Sequence, residues 1–180
     1  TKEKFAVTVF DNALNQLWTK EIETTYDSRR GPSNTPSISN SGTVYVIKKV
    51  EGPKNADFFT SYQIAEKGSK VKENLIEMDA PKKIVNYSTI VDESNNDLIV
   101  AGYYTEDGKV VLGGTGFKGT FITRISGTAN DIKAKSTTPF DKSRSNLNIV
   151  SIQMIKGNIF IVGEDRYENN LANEKKDSKG

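Results

Sequence analysis

Residues 90–126 read IVDESNNDLIVAGYYTEDGKVVLGGTGFKGTFITRIS, and the pattern of this stretch recurs along the chain. It holds a polar turn (94–97), an apolar segment (98–104), a glycine-rich loop, and a second apolar segment (119–125). Asn, Asp and Ser are common in tight turns, whereas Val, Ile, Thr, Phe and Tyr favour strands. The stretch therefore predicts two strands joined by a loop, with a tight turn in front of them.

Two separate features of the chain repeat with the same spacing. One arm, a turn followed by an apolar strand, recurs in steps of 54 and 61 residues at Val44, Leu98 and Ile159. A second arm, two strands joined by a polar turn, recurs in the same two steps at Phe10, Ile64 and Ile125. Because two independent features share both spacings, the sequence predicts a structural repeat.

A repeat of about four short strands is typical of a β-propeller blade. The sequence predicts an all-β fold of antiparallel, blade-like repeats of 54–61 residues that forms part of a β-propeller. We divide residues 1–167 into an outer arm (5–22), a blade (38–79), a second blade (84–138) and an inner arm (147–165), and assign residues 168–180 to a polar tail or loop. The end arms complete only three blades, whereas propellers have about four to eight. Either the chain is part of a longer protein, which we favour, or the sheets stack without closing.

Local patterns fill in the remaining elements. Residues 5–22 predict a hairpin, since apolar side chains alternate at its start. A short helix over residues 13–23 is the alternative, because apolar residues there also have helical spacing. Polar or proline-containing segments are predicted as breaks or loops at 24–37, 137–139 and 141–145.

Composition excludes several classes of chemistry. The 180 residues carry 25 basic and 23 acidic side chains, well mixed, and a net charge of +2, which does not predict nucleic-acid binding. The absence of Cys and His excludes disulfides, thiol nucleophiles, thiolate metal sites and a Ser-His-Asp relay. We predict no cofactor. No run of about 18 apolar residues occurs, so no membrane span is predicted, and the start at Thr1 leads us to expect that any signal peptide is already removed.

Several segments resemble a group of uncharacterised, propeller-like proteins from Bacteroidota that are secreted or lie in the cell envelope. The resemblance spans residues 5–167 and is carried by FAVTVFDNALNQLWTKEIE (5–23), SISNSGTVYVIKKVEG (37–52), LIVAGYYTEDG (98–108) and KGTFITRIS (118–126). It implies a secreted, periplasmic or cell-surface location in a Gram-negative bacterium. It transfers no catalytic residue, and members of the group are usually longer than this chain.

Two loops superficially match ligand-binding motifs. Asp92, Ser94 and Asn96 place oxygen atoms at alternate positions, as in some calcium loops, but Gly is absent at the sixth position and Tyr103 stands at the twelfth. We interpret this segment as a turn and predict no metal. The glycine-rich segment 113–119 suggests a phosphate loop, but a strand rather than a helix is predicted to follow it, so we interpret it as an ordinary loop.

The predicted partner-binding residues lie in three places. Tyr and Arg are common interface anchors, which favours Tyr103, Tyr104, Arg29 and Arg30, although alternation predicts that the two tyrosines point to opposite faces.

Glu164 and Arg166, after the last strand, complete the set. Glu164 and the adjacent Asp165 would also face opposite ways, so they do not form a glycosidase-type carboxylate pair, although Asp92 or Glu106 could be a distant partner.

Two classes of function follow. The first, which we favour, is a non-catalytic envelope or extracellular module that binds protein or glycan through loops at one end of the blades. The alternative is a propeller-type, carbohydrate-active enzyme that uses carboxylates near the central axis. The lack of His, Cys and paired acidic motifs favours the first class, and no catalytic residue is predicted.

Overall fold

The computed structural model describes residues 3–25, 36–51, 57–77, 83–105, 117–144 and 147–165, and these residues form strands joined by turns. The described strands are β1 (Lys4–Phe10), β2 (Gln16–Glu23), β3 (Ser37–Ile38), β4 (Val44–Glu51), β5 (Asp57–Ala65), β6 (Lys70–Ile76), β7 (Lys83–Asp92), β8 (Asp97–Thr105), β9 (Phe117–Ile125), β10 (Ile132–Arg144), β11 (Leu147–Ile155) and β12 (Asn158–Asp165). A 3-10 turn, Glu66–Gly68, joins β5 to β6. Within the described ranges no helix is long and apolar enough to cross a membrane.

The strands form four antiparallel sheets, which confirms the all-β, antiparallel prediction. We name them in chain order: the first hairpin (β1–β2), sheet 1 (β3-β4-β5-β6), sheet 2 (β7-β8-β9-β10) and the final hairpin (β11–β12). The first hairpin confirms the strand interpretation of residues 5–22 over the helix. Its turn is closed by Asp11, whose Oδ1 accepts the backbone N–H groups of Ala13 at 2.9 Å and Asn15 at 2.8 Å.

The strand registers repeat with the spacing seen in the sequence. Val44 lies opposite Ile64 in sheet 1, and Leu98 lies opposite Ile125 in sheet 2. The two arms that share their spacing in the sequence therefore pair with each other, strand against strand, within each of these sheets. The pairing of β1 with β2 also repeats the pairing of β5 with β6. The Val9–Trp18 pair of the first hairpin corresponds to the Gln63–Lys72 pair of sheet 1, 54 residues later.

Sheets 1 and 2 pack face to face around the main core. Because side chains alternate across a strand, Tyr45 and Ile47 of β4 face sheet 2, where Leu98, Val100 and Phe121 meet them. These side chains are almost completely buried. Burial of one such residue contributes about 1.5–3 kcal/mol.

The two hairpins lie at the outer faces of this pair. Val44, Tyr62 and Ile64, on the other face of sheet 1, pack against Phe5 and Trp18 of the first hairpin. In the final hairpin, β11 contacts β7 and β8 of sheet 2, and β7 also contacts β3. The sheets are therefore stacked in chain order, and their first strands, β3, β7 and β11, are neighbours.

Three predicted boundaries are wrong. The break at 137–139 and the start of the loop at 141–145 do not occur, because β10 continues to Arg144. Strand β10 is the edge of sheet 2, where the missing N–H of Pro139 is tolerated, and the register shifts after that residue. The predicted loop 24–37 ends early, since Ser37 belongs to the two-residue strand β3. The predicted tail, 168–180, lies outside the described residues.

Candidate functional site

A cavity of about 680 Å³ opens where the first strands of successive sheets meet. Strand β3, the end of β7 with the turn that follows it, and the end of β11 with its turn supply the walls. The lining residues are Ser37, Ile38, Thr89, Ile90, Val91, Asp92, Glu93, Ser94, Met154 and Gly157. Within the described chain, apolar side chains, hydroxyl groups and two carboxylates thus share one opening, and no aromatic residue lines it.

The hydroxyl groups of the cavity join two sheets. Ser37 Oγ and Thr89 Oγ1 lie 2.6 Å apart and form a hydrogen bond between β3 and β7. Beside them the wall is apolar, and Ile38 is 60% exposed. A cavity that combines apolar walls with a few polar groups is the usual form of a binding site.

The acidic turn at the rim is closed by its own hydrogen bonds. Asp92 Oδ1 accepts the hydroxyl of Ser94 at 2.6 Å, and Asp92 Oδ2 accepts Arg124 Nη1 at 2.7 Å. These two bonds hold the pKa of Asp92 below its usual value, so it is ionised at neutral pH. Asn95 Oδ1 accepts the backbone N–H of Asp97 at 2.9 Å. The turn interpretation thus accounts for these oxygens, and the described residues contain no acidic cluster that could hold a metal ion.

Contacts with sheet 1 fix the position of this turn. Glu93 Oε2 accepts the backbone N–H of Asn40 at 2.8 Å, and the Tyr45 hydroxyl donates to the backbone oxygen of Asn96. Ser41 Oγ donates to Asn96 Oδ1 at 3.2 Å. The rim is thus held by bonds between two sheets as well as by its own turn.

An ion cluster around the buried carboxylate of Asp97 lies behind the rim, and sequence reasoning missed it. The carboxylate of Asp97 is 1% exposed, and it accepts Lys133 Nζ at 2.8 and 3.0 Å, the Gly127 N–H at 3.0 Å and Arg124 Nη1 at 3.2 Å. Burial alone would raise the pKa of Asp97, but these bonds outweigh it, so the pKa is lowered. Arg124 joins Asp97 to Asp92 and so couples the cluster to the cavity wall.

The two predicted tyrosines are buried. Tyr104 packs in the core between the sheets, whereas Tyr103 packs against Phe117 and Phe140 in a separate cluster. Their opposite orientation agrees with the predicted alternation. Both are less than 5% exposed, so each has a packing role here and offers no open surface to a partner.

The other predicted partner-binding residues are Glu164, Arg29, Arg30 and Arg166, of which the structure describes Glu164. Glu164 is exposed near the end of β12 and does not line the cavity. Arg29, Arg30 and Arg166 lie outside the described residues, as does Glu106. Of the glycine-rich segment, residues 117–119 belong to β9, so a strand and not a helix follows the loop, as predicted.

The chain matches no protein-family model, no curated protein and no solved structure.

Proposed function

We propose that this chain is a non-catalytic interaction module of β-propeller type that binds a protein partner at the cavity between β3, β7 and β11. One observation carries the proposal: a cavity of about 680 Å³ with apolar walls and an acidic rim lies where three successive repeats meet. Such a surface suits an extended peptide that inserts an apolar side chain and places a basic side chain beside Glu93. The lack of an aromatic lining residue in the described chain favours a peptide over a sugar, since sugars commonly stack on aromatic rings.

The propeller arrangement is supported by the order of contacts. Each sheet packs on the next one in the chain, and the first strands β3, β7 and β11 are neighbours. Blades that radiate from one axis have their first strands innermost, and the space at that axis is where the cavity would lie. The binding site would then be formed jointly by three repeats.

The state of the carboxylates argues against the enzymatic alternative. A glycosidase needs a general acid whose pKa is raised, whereas the pKa of Asp92 is lowered by Ser94 and Arg124. Glu93, the other carboxylate of the cavity, accepts a backbone N–H from sheet 1. Asp92 therefore lacks the surroundings of a proton donor at neutral pH.

We also propose an envelope or extracellular location, which rests on the resemblance to Bacteroidota proteins. Fractionation of cells that express the protein from its native gene tests it. We expect the protein in the periplasmic, outer-membrane or secreted fraction, and recovery in the cytosol alone would contradict the proposal.

The binding role is tested by screening the whole chain against a displayed peptide library, a glycan array and a panel of polysaccharides. We expect peptides that carry an apolar residue next to Lys or Arg. Glu93→Lys should weaken their binding about tenfold or more, because it sets like charges against each other. Glu21→Lys, the same charge change at an exposed site on β2, is the control and should bind as the wild type does.

Two results would contradict the proposed binding of a protein partner. Binding of glycans without any peptide would make the partner a sugar. Release of sugar that Glu164→Ala abolishes would make the chain an enzyme.

A further inference from the structure

Two neighbouring carboxylates of the cavity differ in how far the chain itself balances their charge. Asp92 is buried at the end of β7, whereas the next residue, Glu93, is exposed. Asp92 Oδ2 forms an ion pair with Arg124 Nη1 at 2.7 Å. Asp92 Oδ1 accepts the Ser94 hydroxyl at 2.6 Å and the Ser94 backbone N–H at 3.2 Å. Both oxygens of Asp92 are therefore engaged within the chain.

The charge of Glu93 is left for a partner. Glu93 Oε2 accepts the backbone N–H of Asn40 at 2.8 Å, and this donor is neutral. Among the residues that the structure describes, no Lys or Arg forms an ion pair with Glu93. Because Glu93 lines the cavity, its negative charge faces whatever enters there.

The ion cluster behind the rim balances its remaining charges. Asp97 accepts Lys133 Nζ at 2.8 and 3.0 Å and Arg124 Nη1 at 3.2 Å. Asp92, Glu93 and Asp97 are three carboxylates, and Arg124 and Lys133 are two cations. One negative charge is thus left over, and it lies on Glu93 because each of the other two carboxylates contacts a cation.

We propose that Arg124 sets the charge selectivity of the cavity, so that the partner peptide presents one basic side chain, which pairs with Glu93. The inference rests on the proposed function and adds the charge of the partner to it. A second basic side chain would have to approach Asp92, where it would meet the like charge of the Arg124 guanidinium. Arg124 is not among the lining residues, so it is a positioning residue that acts through Asp92.

Arg124 is held too firmly for a ligand to displace it easily. Its Nη1 contacts Asp92 at 2.7 Å and the buried Asp97 at 3.2 Å, and its side chain is 26% exposed. Hydrogen bonds between ionised groups are roughly twice as strong as bonds between neutral groups. A peptide that took Asp92 from Arg124 would also disturb the contact with Asp97. The pairing within the chain is therefore expected to persist when a peptide binds.

Two capped peptides that differ by one lysine measure the selectivity by calorimetry. Their sequences are Gly-Ser-Leu-Lys-Ser-Gly and Gly-Ser-Leu-Lys-Lys-Gly. The wild type should bind both with affinities within about twofold of each other, because the second lysine finds no free carboxylate. Arg124→Gln should bind the peptide with two lysines about fivefold or more tightly than the other, because Asp92 then lacks its cation.

Two further variants separate the role of Arg124 from the overall charge. Lys133→Gln removes one positive charge from the same cluster, but Lys133 contacts Asp97 and is not bonded to Asp92. It should bind the two peptides as the wild type does. Arg124→Lys keeps the positive charge and should also keep the wild-type preference. Lys133 retains Asp97 in Arg124→Gln, so this variant should fold, and circular dichroism checks its strands.

A titration without peptide tests the same pairing. The Ser94 hydroxyl and Arg124 hold the pKa of Asp92 below its usual value. Carbon-13 NMR of the Asp92 carboxyl group should therefore show a higher pKa in Arg124→Gln and the wild-type pKa in Lys133→Gln. An unchanged pKa in Arg124→Gln would overturn the proposal, because Asp92 would then not depend on Arg124 for its balance.

The peptide results distinguish this inference from the binding role on which it rests. If the wild type already prefers two lysines, or if Lys133→Gln changes the preference as much as Arg124→Gln does, the proposal is overturned and the binding role stands. The same holds if the wild type binds library peptides but not the peptide with one lysine. If the wild type binds no peptide at all, the binding role and this proposal both fail.

Discussion

Replacing Asp97 by asparagine should lower the free energy of unfolding by about 2–3 kcal/mol at neutral pH. Asparagine keeps the size of the side chain and one oxygen, so no cavity forms. It loses the negative charge that accepts bonds from Lys133 and Arg124 in a site where Asp97 is 1% exposed. A hydrogen bond to a charged group contributes about 1.5–3 kcal/mol.

The loss should stay below the roughly 3–5 kcal/mol of a fully buried ion pair that loses one partner. The Lys133 side chain is 45% exposed and can return its charge to water. Arg124 keeps its bond to Asp92 at 2.7 Å. Both cations thus retain a favourable environment in the variant.

The effect should depend on pH in one direction. Because the folded-state pKa of Asp97 lies below its ordinary value of 3.8, the charge stabilises the fold fully above about pH 4. That stabilisation is lost as the pH falls through the lowered pKa. The difference between wild type and Asp97→Asn should therefore be constant near neutrality and shrink in acid.

Urea unfolding at a series of pH values measures this difference, with Asp131→Asn, the same change at an exposed position, as the control. The control should stay within about 0.5 kcal/mol of the wild type. The reasoning is refuted if Asp97→Asn costs less than about 1 kcal/mol at neutral pH. It is also refuted if the difference does not shrink in acid, or if the control loses as much.

Three further substitutions test the packing. Gly102→Ala should destabilise the protein by about 1–3 kcal/mol in urea unfolding, because the added methyl group would lie 2.2 Å from the backbone oxygen of Asn86; an unchanged midpoint would contradict this contact. Tyr45→Phe should cost about 1–2 kcal/mol, since it removes the bond to Asn96 that ties the two sheets together. Tyr87→Phe removes a buried hydroxyl that has no hydrogen-bond partner among the residues the structure describes, so it should be neutral or stabilising. If Tyr45→Phe and Tyr87→Phe lower the free energy of unfolding equally, the loss in Tyr45→Phe is not caused by the bond between the sheets.

Most strands could be predicted because their signals are local. Alternating apolar residues and turns rich in Asn, Asp, Ser and Gly indicate β4, β8 and β9 within a few residues of their observed ends. Val44 and Ile64 belong to two features that recur with the same spacing, which indicates the repeat. The two residues lie opposite each other in sheet 1. Pro139 led to a wrong prediction because a proline, taken by itself, indicates a break in a strand. Pro139 lies on the edge strand β10, where its missing N–H is tolerated.

The candidate site could not be predicted, because it is formed by contacts distant in the sequence. Strand β3 is only two residues long and follows a polar segment, so nothing local sets Ser37 beside Thr89. The bonds of Asp97 to Lys133 and Arg124 depend on how three strands align. The sequence offers one hint, since Lys133 shares its repeat position with Lys72 and Trp18. The burial of Tyr103 depends on distant contacts as well, since Phe140, which packs against it, lies beyond the predicted break.

A crystal structure of the protein tests most directly whether the repeated sheets are blades around one axis. The proposed arrangement predicts that β3, β7 and β11 are innermost and line the cavity together, with the four-stranded sheets radiating from them. Sheets that lie as flat parallel layers, with β3 and β11 on separate outer edges, would contradict the account.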